Sequence, residues 1–266
     1  MSRFNISTAA LAAVLIAWAL MGQALVPNWV PIAALVVHVA LAALGVAFLE
    51  MQWFGPALCR CRSIAKEVAI TFDDGPTPAG TPAILDALEQ ARVHATFFCV
   101  GSRAAASPEL VGRIARAGHL LANHAYSHHP LTNFFSDARL FREFEDTSRV
   151  LEQACGERPS FLRPPIGLSN PGVFRAAARA GLRVVGWSAR AMDTPSGRPE
   201  RIVARLCRRL RPGAILMLHD GKLPPGAMAT TLRILLDRLR ELGYQPVRLD
   251  ALLSREKQGK TMRHPA

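Results

Sequence analysis

Two adjacent carboxylates, Asp73 and Asp74, end a short apolar run and are followed by Gly75-Pro76. Repulsion and desolvation disfavour two charges placed side by side unless a cation is present or one proton is retained. The alternative is an Asp-rich turn whose carboxylates cap the next loop. Further on, His124 and His128 lie four residues apart in Asn123-His124-Ala125-Tyr126-Ser127-His128-His129. On one helical turn that spacing would present both imidazoles on one face, ready to share a metal. Chance surface pairs share the spacing, so the two histidines gain weight only with Asp74, which makes two imidazoles and a carboxylate. Such a set leaves a coordination position open for water, as catalytic zinc sites require. Asp73 is then the candidate base for that water. His219 closes a strongly apolar run, Ile215 to Leu218, and is the candidate general acid, with the apolar residues Leu216 and Leu218 offering a small acyl pocket. A hydrogen-bonded histidine at the core edge is the plainer reading of His219 alone. Arg163 precedes Pro164-Pro165-Ile166-Gly167, a rigid turn that would hold its guanidinium in place, or leave it exposed on a structural turn.

These groups need elements to position them. From Glu67 onward short β runs alternate with helical stretches. Strands are predicted at 68–72, 95–100, 119–123, 161–163, 183–187, 214–218 and 246–249. Helices are predicted between them, one from the cap Thr81 with Pro82 at its first position, and others over 109–117, 137–155, 171–180, 199–210 and 230–242. Alternation of this kind implies a parallel sheet or barrel, and catalytic groups then gather at the C-terminal ends of the strands. The polar clusters fall at those ends.

The first part of the chain is a different material. Ser7 to Val26 and Val30 to Leu49 are apolar runs long enough to span a bilayer, separated by Pro27-Asn28. Trp29 and Trp53 bracket the second, as interfacial aromatics do. His38 is its only ionisable group before Glu50, and reads as an isolated polar residue between the helices. A cleaved signal peptide is the alternative for the first run, with a small-residue site near Gly22 to Ala24. Arg3 precedes the hairpin, Arg60, Arg62 and Lys66 follow it, and the turn has no Lys or Arg. The positive-inside rule therefore puts both ends in the cytoplasm of a two-pass bacterial inner-membrane protein. Predicted boundaries are a hairpin anchor over 1–58, a basic juxtamembrane linker over 59–66, a catalytic domain over 67–253 and a basic flexible tail over 254–266.

The 32 basic and 20 acidic residues leave a net charge of +12. Attraction to anionic membrane lipid and a merely solvated surface both account for it. No aromatic-rich basic stretch suggests nucleic-acid binding. The five cysteines, Cys59, Cys61, Cys99, Cys155 and Cys207, form no disulfide framework.

Taken in order, Thr71 to Pro76, His124 to His128, Arg163 to Gly167 and Leu216 to Asp220 resemble the polysaccharide deacetylases with a NodB-homology domain (carbohydrate esterase family 4). Ala95-Thr96-Phe97-Phe98 and Gly118-His119 add to the likeness, which covers about residues 67 to 253. The resemblance implies a distorted (β/α) barrel and does not extend to the transmembrane hairpin that precedes it. It implies Asp73 as general base, Asp74, His124 and His128 as ligands of a divalent metal (zinc, with cobalt, nickel or manganese as alternatives), and His219 as the acid that protonates the leaving amine. Arg163 would orient Asp73, and Asp193 would contact Arg163. The Ile166 N–H would help bind the oxyanion, with Trp187 beside it in the substrate pocket. Three positions depart from the pattern: Ile166 where an aromatic is common, Arg190 where an acid often follows the Trp, and Thr194 where a second Trp is usual. These put the usual substrates, chitin and peptidoglycan, in doubt. The expected activity is removal of an N-acyl group, expected to be N-acetyl, from an amino sugar in a glycan or a lipid-linked precursor. A non-catalytic glycan-binding or scaffold protein and a metal amidase acting on a non-sugar amide are the alternatives.

Overall fold

The computed structural model describes residues 1–62, 65–193 and 197–261. Two long helices come first, α1 (Arg3–Leu25) and α2 (Trp29–Ala47). The Ser2 hydroxyl caps α1 by accepting from the Asn5 N–H, and the left-handed Gly22 interrupts it near its end. Trp18 Nε1 donates to Asn28 Oδ1 across the turn at 3.1 Å. His38 is not isolated, because its Nδ1 meets Ser7 Oγ of the facing helix at 2.7 Å. Both helices are long and apolar enough to cross a membrane, and almost none of their surface is buried inside the protein.

The rest alternates strands and helices. β1 (Glu67–Gly75) is buried along its whole length, as a central parallel strand of Val, Ala, Ile and Phe should be. It is followed by α3 (Gly80–Gln90), β2 (Thr96–Cys99), α4 (Gly101–Ala106), α5 (Pro108–Arg116), β3 (Leu120–Asn123), α6 (Asp137–Cys155) and β4 (Phe161–Leu162). Then come α7 (Pro171–Arg179), β5 (Arg183–Val184), β6 (Ala189–Arg190), α8 (Pro199–Cys207), β7 (Ala214–His219), α9 (Pro225–Glu241), β8 (Gln245–Pro246) and α10 (Leu249–Thr261). The strand order is β5-β4-β3-β2-β1-β7-β6, with β8 beside β1, and every pairing between these strands is parallel.

This order forces curvature. A flat path of seven strands at ~4.8 Å spacing would separate its end strands by about 29 Å, whereas the chain between Val184 and Ala189 reaches at most ~18 Å. The sheet therefore curls into a half-barrel. Side chains alternate between its two faces. Ile70, Phe72, Phe97, Leu216 and Leu218 meet the apolar faces of the outer helices, while Ala69, Phe98, Ala122, Val185 and Ile215 fill the inside.

The segment expected as a linker is part of this barrel. Leu58 bridges to Val185 and Arg60 to Ala214, across the gap between the two sheet ends. Cys61 is fully buried, and its carbonyl lies where a side chain on the left-handed Gly213 would stand. Ser63 and Ile64 lie outside the described residues. The segment expected as a flexible tail continues α10 as far as Thr261, and Arg255 on that helix pairs with the buried Glu67 of β1. Residues 262–266 lie outside the described part.

Several boundaries differ from the sequence reading. Thr81 does not cap α3, which starts one residue earlier. Its hydroxyl donates to Asp220 and accepts the Thr77 N–H at 2.8 Å instead. Of the stretch expected as one strand over 183–187 only Arg183–Val184 is strand, and a further short strand, Ala189–Arg190, follows it at the other end of the sheet. The final strand is short because α10 begins at Leu249.

Candidate active site

The polar clusters meet at the C-terminal end of the half-barrel. β1 and β7 pair with Thr71 opposite Met217 and Asp73 opposite His219. The two-residue strand period then gives Thr71, Asp73, Met217 and His219 one face, the inner one. The same parity corrects the expected acyl pocket. Leu216 and Leu218 are fully buried in the outer layer against the helices, so Met217 is the nearest β7 residue on the face of His219.

Strict alternation would also send Asp73 and Asp74 to opposite faces. The pairing of β1 with β2 slips between Phe72 and Gly75, and Asp74 adopts φ 70°. Arg103 donates to the Asp74 carbonyl and supports that turn. Both carboxylates therefore reach the same opening. The imidazoles arrive by a loop rather than a helical turn. Ala125 and His128 have positive φ, and Glu143 of α6 accepts the N–H groups of Tyr126 and Ser127 at 3.0 and 2.7 Å.

Asp74 Oδ1 stands 3.4 Å from His124 Nε2 and 3.2 Å from His128 Nε2. His124 Nδ1 lies 2.7 Å from the carbonyl oxygen of Arg163, so that nitrogen carries the proton and donates. Nε2 then faces a carboxylate oxygen, an arrangement that repels unless a second proton or a metal ion lies between. Burial and the neighbouring His124 push the His128 imidazole below its ordinary range, against the pull of Asp74. Burial alone would raise the Asp74 carboxyl, but the His124 hydrogen bond and the nearby imidazoles outweigh it and hold the group well below the usual carboxylate range. Two donors at zinc bond lengths of ~2.0–2.1 Å and a tetrahedral angle stand about 3.3 Å apart. The three donor atoms lie within 4.8 Å of one another, so the residues fit a metal with two nitrogens and one oxygen.

Arg163 is fully buried. Its Nη1 donates to Asp73 Oδ1 at 2.5 Å and to Thr71 Oγ1 at 2.9 Å, its Nη2 to the Gly186 carbonyl at 2.8 Å, and its plane lies 4.0 Å from the Phe98 ring. Asp193 does not contact Arg163 as expected. Its two oxygens accept from His219, at 2.6 Å from Nδ1 and 2.7 Å from the backbone N–H. Burial lowers the His219 pKa, but the Asp193 hydrogen bond and charge, with Asp73 and Asp74 beyond, raise it overall. Ile166 sits at the rim with φ 61° and half its surface exposed. Trp187 packs where a side chain on Gly167 would stand, 2.2 Å from such a Cβ. Arg190 is exposed, 5.8 Å from the Trp187 ring, and Thr194 lies outside the described residues.

The family profile described as polysaccharide deacetylase matches residues 62–185. A chitooligosaccharide deacetylase of a Bradyrhizobium species is 41% identical over 162 residues, 60% of this chain and 73% of that protein. The chain belongs to the polysaccharide deacetylase family. A Bacillus cereus peptidoglycan-N-acetylglucosamine deacetylase is 36% identical over 190 residues, 71% of this chain and 88% of that protein. The structure of the Bacillus subtilis peptidoglycan deacetylase PdaC superposes with a TM-score of 0.68 at 32% identity, covering 75% of this chain and 96% of that one. Members of the polysaccharide deacetylase family are hydrolases of non-peptide carbon–nitrogen bonds, and they depend on a metal. The Asp-His-His cluster is where this member has the donors for one.

Four residues around the site escaped the sequence reading. Met217 was legible from parity with His219. Lys222, whose Nζ is 3.3 Å from Asp74 Oδ2, and Arg103 and Glu143, which pin the Asp74 turn and the histidine loop, carry no local signal. Asp220 accepts from Thr77 at 2.7 Å and from Thr81, fixing the start of α3 beneath the site.

Metal content separates ligands from the base. After dialysis against zinc, Asp74→Asn, His124→Ala and His128→Ala should each bind at least ~10-fold more weakly than the parent protein. Asp73→Asn should keep a full equivalent by elemental analysis. Equal loss in all four variants would refute the assignment.

Proposed function

We propose that the chain is a membrane-anchored, metal-dependent deacetylase that removes the N-acetyl group of an amino sugar, and that its substrate is a lipid-linked glycan precursor. One observation carries the chemistry: Asp73 and His219 stand opposite each other in register, each held by its own buried partner, beside the Asp-His-His cluster. The similar proteins named above, acting on chitooligosaccharides and on peptidoglycan, supply the substrate class, an N-acetylated glycan. The departures at Ile166 and Arg190 and the apolar helices point away from a soluble polymer.

Asp74, His124 and His128 would hold the metal, and zinc suits the N2O donor set. When bound, it supplies a Lewis acid for the amide carbonyl and acidifies water. Arg163 occupies one oxygen of Asp73 and leaves the other to take the proton from the attacking water. The water oxygen bonds to the carbonyl carbon, the Ile166 N–H donates to the developing oxyanion, and His219 gives its Nε2 proton to the departing amine as the C–N bond breaks. The products are acetate and a free amino sugar. Asp193 keeps Nδ1 protonated and aims Nε2 at the leaving group.

Purified protein in detergent with added zinc should release acetate from a polyprenyl-pyrophosphoryl N-acetylglucosamine, with kcat reduced at least ~100-fold in Asp73→Asn. Turnover of soluble N-acetylglucosamine oligomers alone would overturn the lipid-linked substrate. Absence of release from both by metal-loaded protein would overturn the deacetylase.

The pH profile tests the acid. His219 must be protonated to donate, so activity falls as pH rises through its pKa. Asp193 raises that pKa. Asp193→Asn should therefore shift the alkaline limb of kcat to lower pH, besides lowering kcat by ~10-fold or more. An unmoved limb would remove His219 from that role.

We place the catalytic domain on the cytoplasmic face. The apolar helices are exposed, unlike the core helices of a soluble domain, and the flanking arginines lie at the domain end of the hairpin. A fluorescent reporter that matures only in the cytoplasm, fused after Ala266, should be bright, and a periplasm-dependent phosphatase fused there should be silent. An active phosphatase would reverse the topology.

A further inference from the structure

A groove of about 770 Å³ runs between the end of α2 and the elements β6 and α8. Four arginines line it: Arg190 from β6, and Arg205, Arg208 and Arg209 from the end of α8 and just beyond. Among the described residues Glu50 is the single acid on its wall. Among the described residues none of the four arginines pairs with a carboxylate. Arg205 donates to the Ala191 and Met192 carbonyls at 2.6 and 3.4 Å, which orders it, while Arg190, Arg208 and Arg209 are exposed. Several unneutralised guanidiniums on one wall make a positive surface that attracts an anion. Guanidinium is the side chain that grips phosphate oxygens with paired hydrogen bonds.

Position narrows the anion. One side of the groove is Ala47 and the exposed Phe48, where the apolar α2 ends. With α2 in a bilayer, this is the depth of the headgroups. The other side is Trp187, which also packs on Gly167 of the oxyanion turn and lies 5.9 Å from Arg163. Met192, which lines the groove and precedes Asp193 in the chain, adds a second exposed apolar group. The groove thus combines an apolar anchor, a cationic wall and, through Trp187, contact with the turn beside the reactive site. A lipid-linked sugar combines the same three chemistries: hydrocarbon, phosphate or pyrophosphate, amino sugar. Arg190, where the family often has an acid, puts a cation beside Trp187.

We propose that this groove is the binding site for the phosphate or pyrophosphate of the lipid-linked substrate, gripped by Arg190, Arg205, Arg208 and Arg209. The assignment rests on the function proposed above.

The test uses the full chain in nanodiscs of neutral phosphatidylcholine. Two substrates are compared, polyprenyl-pyrophosphoryl N-acetylglucosamine and a phosphate-free N-acetylglucosamine oligomer. Arg208→Ala/Arg209→Ala should lower kcat/KM on the first by at least ~10-fold and change the second less than ~2-fold, and Arg190→Glu should lower the first by at least ~10-fold without lowering the second. Arg208→Lys/Arg209→Lys, which keeps the charge, should recover part of the loss. Equal effects on both substrates, or none, would overturn the proposal. So would arginine variants that change only adsorption to phosphatidylglycerol nanodiscs, since the wall would then be a general contact for anionic lipid. If neither substrate turns over, calorimetric titration of Asp73→Asn protein with inorganic pyrophosphate decides the groove separately. Saturable binding abolished in the Arg208→Ala/Arg209→Ala background keeps the site while the deacetylase reading falls, and no binding removes both.

Discussion

The site is built around a guanidinium that has no access to water. Arg163 is fully buried inside the half-barrel, and a charge there persists only if it is paired and hydrogen-bonded. Asp73 pairs with it, Thr71 and the Gly186 carbonyl accept from it, and Phe98 lies against its plane. Its Nε has no partner among the described residues, so the network is not optimised for stability alone. Buried ion pairs seldom add net stability, whereas removing one partner costs about 3–5 kcal/mol. Position is what the pair provides. Arg163 holds the candidate base by its side chain and the candidate ligand His124 by its own carbonyl, so one residue sets the distance between proton acceptor and metal site.

That constraint explains how two neighbouring aspartates divide their work. Asp73 remains on the inner face and is neutralised from beneath by Arg163. Asp74 is turned by the slip in β1 pairing toward the imidazoles and Lys222. Each carboxylate meets its own cationic environment, and the repulsion that makes the sequence Asp73-Asp74 costly is answered by two separate partners rather than a shared proton. His219, registered opposite Asp73, is held by a third carboxylate, Asp193, whose oxygens leave only Nε2 free to face the opening.

Much of this arrangement is legible in the residues because it depends on strand ends. Short apolar runs followed by Asp73-Asp74, Asn123-His124, Arg163-Pro164 and His219-Asp220 announce both the parallel sheet and its reactive rim. What could not be read is what three-dimensional closure decides. The partner of Asp193 depends on how the chain returns after β6, and no spacing distinguishes Arg163 from His219. The histidine loop keeps the four-residue interval but not the helical turn, because Glu143 of the helix that follows satisfies its N–H groups. Leu216 and Leu218 belong to the outer layer by strand parity, which the pairing of Asp73 with His219 makes plain once the register is known. The role of residues 58–61 as a seam between sheet ends has no sequence signature, since bridges of one residue leave no periodicity.

The seam and the rim also tie the hairpin to the chemistry. A helix leaves its last carbonyls without intrahelical donors. In α2 the carbonyls of Gly45 and Val46 accept from the Ser169 hydroxyl and N–H, at 3.3 and 3.1 Å. Ser169 ends the turn that begins at Arg163 and presents the Ile166 N–H. The turn that would bind the oxyanion therefore also caps the second apolar helix, and any tilt of the hairpin relative to the barrel would pull on both. Leu58 and Cys61 hold the following segment inside the barrel, which fixes the other end of the same connection. An anchor needed only to retain a soluble domain at a surface would be joined by a flexible linker. Here the last turn of α2 is hydrogen-bonded to the turn that carries Ile166, and with the hairpin in a bilayer the membrane would set the height at which a substrate enters.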